Sequence, residues 1–444
     1  MTTETSLAPA GQGRLASVLA MRGTQATPEA PFVIEHREAL IYLLCLASEL
    51  EHAIMCQYLY AAFSLKQSTD ERVTAVQLEA IERWRKTVSH VATQEMLHLA
   101  LVQNLLTSIG AAPHLSRPNL PPPPGRYPAG VSLALLPFGE AALRHFMYLE
   151  RPEGMQLDDT ELLRAMVRAT PFVELGQIVP QLQDFATIGH LYRSIEEGVR
   201  SLAARYGEPR LFCGPRDAQA TSAAFGWEEL VEVGDVASAQ AAIDTIIEQG
   251  EGPRGDWRQA HFGRFVDILD EYLAMRSADP AFEPSRPVLT ANVRVHEREL
   301  SLPLISDRTT ARCTDLFNVS YEVLLLVLQR YFAHAEESVA QFGVLADTAL
   351  GLMFEVIKPL GQLITRLPVG EDHPGMTAGP SFELFYESDY VLPHRAAAWI
   401  ILEERLRDAR AFCERLGADA PHLAAPLQPV AASLEKFASA LAAG

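Results

Sequence analysis

Between Val88 and Leu106 the apolar positions recur every three or four residues, at Val88, Val91, Ala92, Leu99, Val102 and Leu106. That period predicts a helix with one buried face. Glu95 and His98, three residues apart, fall in the same stripe. A charge buried there unpaired is costly, and metal coordination is one way to offset the cost. Upstream, Glu35 to about Lys66 is nearly free of Gly and Pro and apolar on most sides, which predicts a helix inside a bundle. Glu51 shares a face of it with Leu44, Ala47, Ile54, Met55, Tyr58 and Ala62. The polar stretch Gln67–Thr74 separates the two helices. If they run antiparallel about a turn near residue 73, Glu51 and Glu95 come level. Glu49 and His52, also three apart, would replace Glu51 if the helix were rotated by ~60–100°.

The second helix is expected to stop at Gly110-Ala-Ala-Pro113. Residues 113–137, with Pro121 to Pro124 consecutive, predict an extended crossover laid on the surface. Short helices are expected over Phe138–Glu150 and Asp158–Ala169, and a longer one over 181–206 with His190, Tyr192, Ile195 and Val199 in its stripe. Residues 207–236 are irregular, with Leu230–Val233 the one credible strand. Ala237–Gln249 and Gln259–Met275 are helical patterns flanking a Pro/Gly-rich insert, and 313–347, 349–366, 393–416 and 424–442 are helical again. The expected organisation is an N-terminal arm (1–31), a helical bundle domain (32–276), a Pro- and charge-rich linker (277–312) and a C-terminal helical domain (313–444). The fold class is mainly α.

Composition narrows the function. With 48% apolar and 21% charged residues the chain reads as a soluble globular protein. A net charge of −19 argues against nucleic acid or an anionic membrane as a partner. Cys45, Cys56, Cys213, Cys313 and Cys413 are scattered, with no Cys-x-x-Cys, as expected of reduced thiols in a cytoplasm. Residues 1–30 lack the pattern of a secretory signal, and no apolar run reaches membrane length. A cytoplasmic location is expected.

Four-helix carboxylate proteins build a di-metal site from two single Glu residues and two Glu-x-x-His pairs facing inward. Carboxylates neutralise the cations, imidazole suits their intermediate softness, and open positions admit dioxygen or substrate. Glu51, Glu95 and His98 supply half of such a set. His190, Glu197, Glu248, Glu251 and His261 are the candidates for the rest. Tyr58 and Tyr192 fall nearby and are read as pocket lining or core. His373 and Glu383, in a Gly/Pro loop, are candidates for closing the site.

The sequence resembles the ferritin-like proteins grouped with iminophenyl-pyruvate dimer synthase, found in bacterial natural-product pathways. The resemblance rests on Glu49-Leu-Glu-His-Ala-Ile-Met-Cys-Gln-Tyr-Leu-Tyr60, Glu95-Met-Leu-His98, Tyr127-Pro128, Phe146–Glu150, Thr187-Ile-Gly-His-Leu-Tyr192, Gln249-Gly-Glu-Gly252 and His261-Phe-Gly-Arg-Phe265. Together these cover roughly residues 35–275. It implies a ferritin-like four-helix bundle with a long crossover, and metal ligands at Glu51, Glu95, His98, His190, Glu251 and His261. At Gly189-His190-Leu191-Tyr192 the family usually has Gly-Glu-aromatic-Tyr, and an imidazole cannot bridge two metals as a carboxylate can. Glu251 and His261 correspond to a Glu-x-x-His pair split by the insert 252–260, with Glu248 or Glu197 as replacements in another register. The implied cofactor is iron, mono- or dinuclear, or another divalent transition metal. The implied reaction is oxidation or oxygenation, with dioxygen, of a small amino-acid-derived substrate in secondary metabolism. Homo-oligomer formation is compatible with this. The alternatives are an iron-binding or iron-oxidising protein without organic substrate, and a non-catalytic helical pathway partner. A haem site would need an axial ligand that no Cys-x-x-Cys-His supplies.

Overall fold

The computed structural model describes residues 29–123, 126–128, 131–155, 157, 185, 187–252, 256–295, 302–333, 336–385 and 392–444. The helix expected at Asp158–Ala169 lies outside them. Nearly all of the regular secondary structure among the described residues is helical. Helix α1 (Arg37–Ser64) is buried on nearly every side from Leu46 onward, as its lack of a polar face requires. Helix α2 (Ala75–Ser108) opens on a capping box: the Thr74 hydroxyl accepts from the Gln77 amide, and the Gln77 side chain accepts from the Thr74 amide. Beyond its end Gly110 takes a left-handed conformation (φ 79°).

Helix α3 (Glu140–Leu149) follows the crossover, then α4 (Ile188–Tyr206), α5 (Val236–Gly250) and α6 (His261–Ala278). α1 packs along α2 and against α4, while α5 contacts α2 and α4, which closes a four-helix core. α3 lies against α6, and α6 also touches α2 and α5.

The crossover departs from the surface path expected of it. Leu115, Leu120, Tyr127, Val131, Leu133 and Leu135 are all buried. The buried Glu49 carboxylate draws it in, receiving hydrogen bonds from Arg126 and from the Tyr127 hydroxyl (3.0 Å) and lying 3.2 Å from His114. The strand expected at Leu230–Val233 is absent. Side-chain amides take the place of a neighbouring strand there: Asn104 donates to Val231, and Gln219 both donates to and accepts from Val233. The two strands that do form are parallel and two residues long, β1 (Val288–Leu289) and β2 (Thr377–Ala378).

The C-terminal half consists of α7 (Arg308–Phe332), α8 (Val339–Gly351), α9 (Lys358–Ile364), α10 (Arg395–Asp419) and α11 (Ala424–Ala443). The single helix expected over 313–347 is broken, and a capping box at Ser338 and Gln341 starts α8. Between α8 and α9 the six residues Leu352–Ile357 form a wider π-helical turn. Buried apolar residues run without interruption from Ile34 to Leu441. The connecting segment is pinned by Arg286, which donates to Glu71 (2.6 Å), to the carbonyls of Phe63 and Leu65, and to Thr365.

Two helical stretches, Arg37–Ser64 and Val339–Ile364, are apolar and long enough to span a membrane, although interrupted apolar runs in the sequence hide this. The most apolar part of the first is 78% buried inside the bundle and is core, whereas that of the second is 39% buried.

Candidate metal centre

The apolar stripes of α1 and α2 face each other, so the carboxylate each carries is delivered to one place. Glu51 and Glu95 are both 2% exposed. His98, one turn beyond Glu95, points Nδ1 at Glu95 Oε2 (2.9 Å) and at Glu51 Oε2 (3.4 Å). From the other side His261, the first residue of α6, brings its Nδ1 to 2.8 Å from Glu95 Oε1 and 3.7 Å from Glu150 Oε1. Glu150 follows the last residue of α3. Two groups of three result, Glu51/Glu95/His98 and Glu95/Glu150/His261, each with its donor atoms within 4.8 Å of one another and all buried. Glu95 belongs to both.

Each half has matching supports. The Tyr192 hydroxyl donates to Glu51 (2.6 Å), and the Tyr58 hydroxyl donates to Glu150. Gln249 Oε1 lies 3.1 Å from His98 Nε2, and Gln94 Oε1 lies 3.3 Å from His261 Nε2. In both rings the outer nitrogen is thereby the N–H, leaving the Nδ1 lone pair to face inward in the neutral form.

The arrangement fits a divalent transition metal, and one observation tests this directly. Glu95 Oε1 and His261 Nδ1 approach to 2.8 Å, yet neither has an aligned hydrogen bond. Both atoms are buried, and a polar pair in that state costs free energy. Atoms aimed at a common third point have this geometry, and three carboxylates with two imidazoles are donors suited to iron, manganese or zinc.

The protonation pattern agrees. Burial pushes Glu51 up to about 8, only partly countered by His98. Burial and the nearby Glu95 charge also raise Glu150. Burial would raise Glu95 too, but the two imidazoles outweigh it and hold this carboxyl well below the usual range. His98 and His261 are raised, because the carboxylates overcome a desolvation that acts in the opposite direction.

Of the residues expected in a metal site, the structure brings together Glu51, Glu95, His98 and His261. Glu251 lines the same gap, a space of about 20 Å³. One of its oxygens accepts from the Glu153 amide (3.0 Å), and the other lies beside Gly189 without an aligned hydrogen bond among the described residues. Burial first of all pushes its carboxyl up to about 7. His190 is turned elsewhere: its Nδ1 meets Glu29 (2.9 Å), its Nε2 meets the Ala30 carbonyl (3.0 Å), and Phe32 packs edge-on against the ring. Gly189 and Tyr192 line the gap in its place.

Glu197 and Glu248 are exposed on their helices. Glu49 serves the crossover, and His52 lies against the Leu115 carbonyl and the Tyr321 hydroxyl on the opposite side of α1. Glu383 accepts from the amides of Val293 (2.8 Å) and Arg294 (3.1 Å) and belongs to neither donor group. Glu150 is the member that sequence reasoning left out. It continues the buried face of Leu143, Phe146 and Met147, the same signal that singles out Glu51.

A ferritin-like family profile matches residues 44–270, just over half of the chain. The chain belongs to the ferritin-like family. Among curated proteins it is similar to dichlorochromopyrrolate synthase of Lentzea aerocolonigenes, with 28% identity over 389 residues covering 79% of this chain and 36% of that one. It is also similar to 2-imino-3-(indol-3-yl)propanoate dimerase of Chromobacterium violaceum, with 28% identity over 388 residues covering 82% of this chain and 36% of that one. The chain thus spans about a third of the length of these relatives. Among solved structures a ferritin-like protein from Caulobacter vibrioides aligns with a TM-score of 0.46 and 19% identity, over 75% of this chain and 98% of that one.

Proposed function

We propose that this ferritin-like chain is a metal-dependent oxidoreductase of secondary metabolism. In this reading it holds two iron ions that share Glu95, and it oxidises a small amino-acid-derived substrate with dioxygen. The observation that carries the reading is the placement of Glu95 in two donor groups, each completed by one further carboxylate and one imidazole. The name of one relative, 2-imino-3-(indol-3-yl)propanoate dimerase, supplies the substrate class, a 2-imino carboxylate bearing an aromatic ring. All five thiols are free, in keeping with a reducing, cytoplasmic location.

Glu51, Glu95 and His98 would hold one ion, and Glu95, Glu150 and His261 the other. When bound, iron supplies the one-electron chemistry with dioxygen that side chains lack. The protein's part is to fix the ligands. Tyr192 and Tyr58 orient the outer carboxylates, and Gln249 and Gln94 hold the tautomer that turns Nδ1 inward. Leu149, Ile188, Ile246 and Ile247 keep bulk water from the cluster.

The test is metal content per chain on anaerobically purified protein, wild type against Glu95→Ala. We expect near-stoichiometric transition metal in the wild type, lost in the variant because both groups lose their shared member. No metal in either protein overturns the reading. Metal with oxygen uptake but no consumption of any aromatic amino acid or its 2-imino acid would move it to iron oxidation alone.

A further inference from the structure

On the side of α1 and α2 away from the ligand cluster, a cleft of about 690 Å³ opens between the bundle and the C-terminal helices. That volume is typical of sites for small organic ligands. The cleft is separate from the metal gap. Met55 lines the cleft while its neighbour Ile54 lines the gap, and Met96 lines the cleft while Glu95 faces the gap, so the two helices form a wall between them.

Two features of the lining define a ligand. The walls are aromatic and thioether-rich: the stacked pair Phe225 and Trp227 (centroids 5.5 Å apart, planes at 14°) joins Phe332, with Met55, Met96 and Met353 also contributing. Aromatic faces and polarisable thioethers receive flat ring systems well. The charge is the second feature. The chain carries −19 overall, yet among the described residues no Asp or Glu lines the cleft, whereas Arg85, Lys86 and Lys358 do. Among the described residues none of the three has an ion-pair partner. An apolar hollow with unpaired cations at its edge is complementary to an apolar body bearing a negative charge.

We propose that this cleft is a second ligand site, for a flat aromatic carboxylate whose ring lies among the aromatic and methionine side chains and whose carboxylate meets Arg85, Lys86 and Lys358. The proposal stands apart from the metal reading, since it uses none of the cluster residues.

Calorimetry on the full chain with three probes tests it: naphthoate, naphthylmethanol of the same shape without charge, and decanoate with the charge but no ring. Naphthoate should bind at one site per chain, with the other two about tenfold weaker or worse. The double variant Lys86→Ala/Lys358→Ala alters two exposed residues, which leaves folding intact, and should weaken naphthoate about fivefold to tenfold. Glu95→Ala should leave its affinity unchanged. Absence of naphthoate binding, equal binding of naphthylmethanol, tighter binding of decanoate, or indifference to the lysine variants each overturns the proposal. Loss of binding in Glu95→Ala would place the ligand at the metal cluster and overturn it as well.

Discussion

Glu95 differs from the carboxylates on either side of it by a single neighbour. It lies between two imidazoles, whereas Glu51 and Glu150 each have one. Without metal, burial pushes the Glu51 and Glu150 carboxyls up, while the two imidazoles hold that of Glu95 down. Replacing Glu150 by Ala removes a donor from one group only. We expect the variant to retain about half the wild-type metal, against near-complete loss for Glu95→Ala; full retention would remove Glu150 from the ligand set. Three members of the cluster, Glu51, Glu95 and His98, were legible because a polar residue on a strict helical stripe stands out. Glu150 follows the same rule at a helix end, but Arg151-Pro152 behind it disguises it as an exposed terminus. His190 fails for a geometric reason. Gly189 and Tyr192, three apart, face the gap, and His190, one step on from Gly189, is turned away by about 100°.

At the level of elements, one glycine makes room for the Glu251 carboxylate against α4. A Cβ at Gly189 would lie 1.8 Å from Glu251 Oε1 and 2.3 Å from its carboxyl carbon. Gly189→Ala must push that carboxylate aside, and we expect a loss of about 1–3 kcal/mol read as a lower midpoint in thermal unfolding of the metal-free protein. An unchanged midpoint would show that Glu251 moves freely. The helices themselves were legible because long apolar stripes have few other solutions. The segment at Leu230–Val233 was not, since alternation of apolar residues says nothing about whether a strand or the amides of Asn104 and Gln219 will meet the backbone.

For the molecule as a whole, metal and protons compete for the same buried atoms. Glu51, Glu150 and the two imidazoles bind protons more tightly in the metal-free protein than in water, so metal uptake must release them. Apparent metal affinity should fall on acidification and rise as pH climbs toward about 8, where Glu51 gives up its proton. Isothermal titration in buffers of different ionisation enthalpy would count the protons; a pH-independent affinity would contradict the cluster as the site. Metal at a hundredfold excess over its Kd should stabilise the fold by about 2.7 kcal/mol, and the gain should vanish in Glu95→Ala. The contacts that unite the halves were beyond sequence reading. Arg286 reaches Phe63, Leu65 and Glu71 across more than two hundred residues, and no local pattern registers such a partner.

The wide turn at Leu352–Ile357 has a consequence in chain length. A π turn carries one residue more than the α-helix it interrupts, so it is in effect an insertion that the fold has kept. Deleting one residue there would remove the surplus, yet Pro359, with no N–H to give the preceding turn, would still keep α8 and α9 from joining as one regular helix. Met353 and Ile357 lie within the turn and line the cleft. The surplus residue acts as a spacer that sets the shape of that wall.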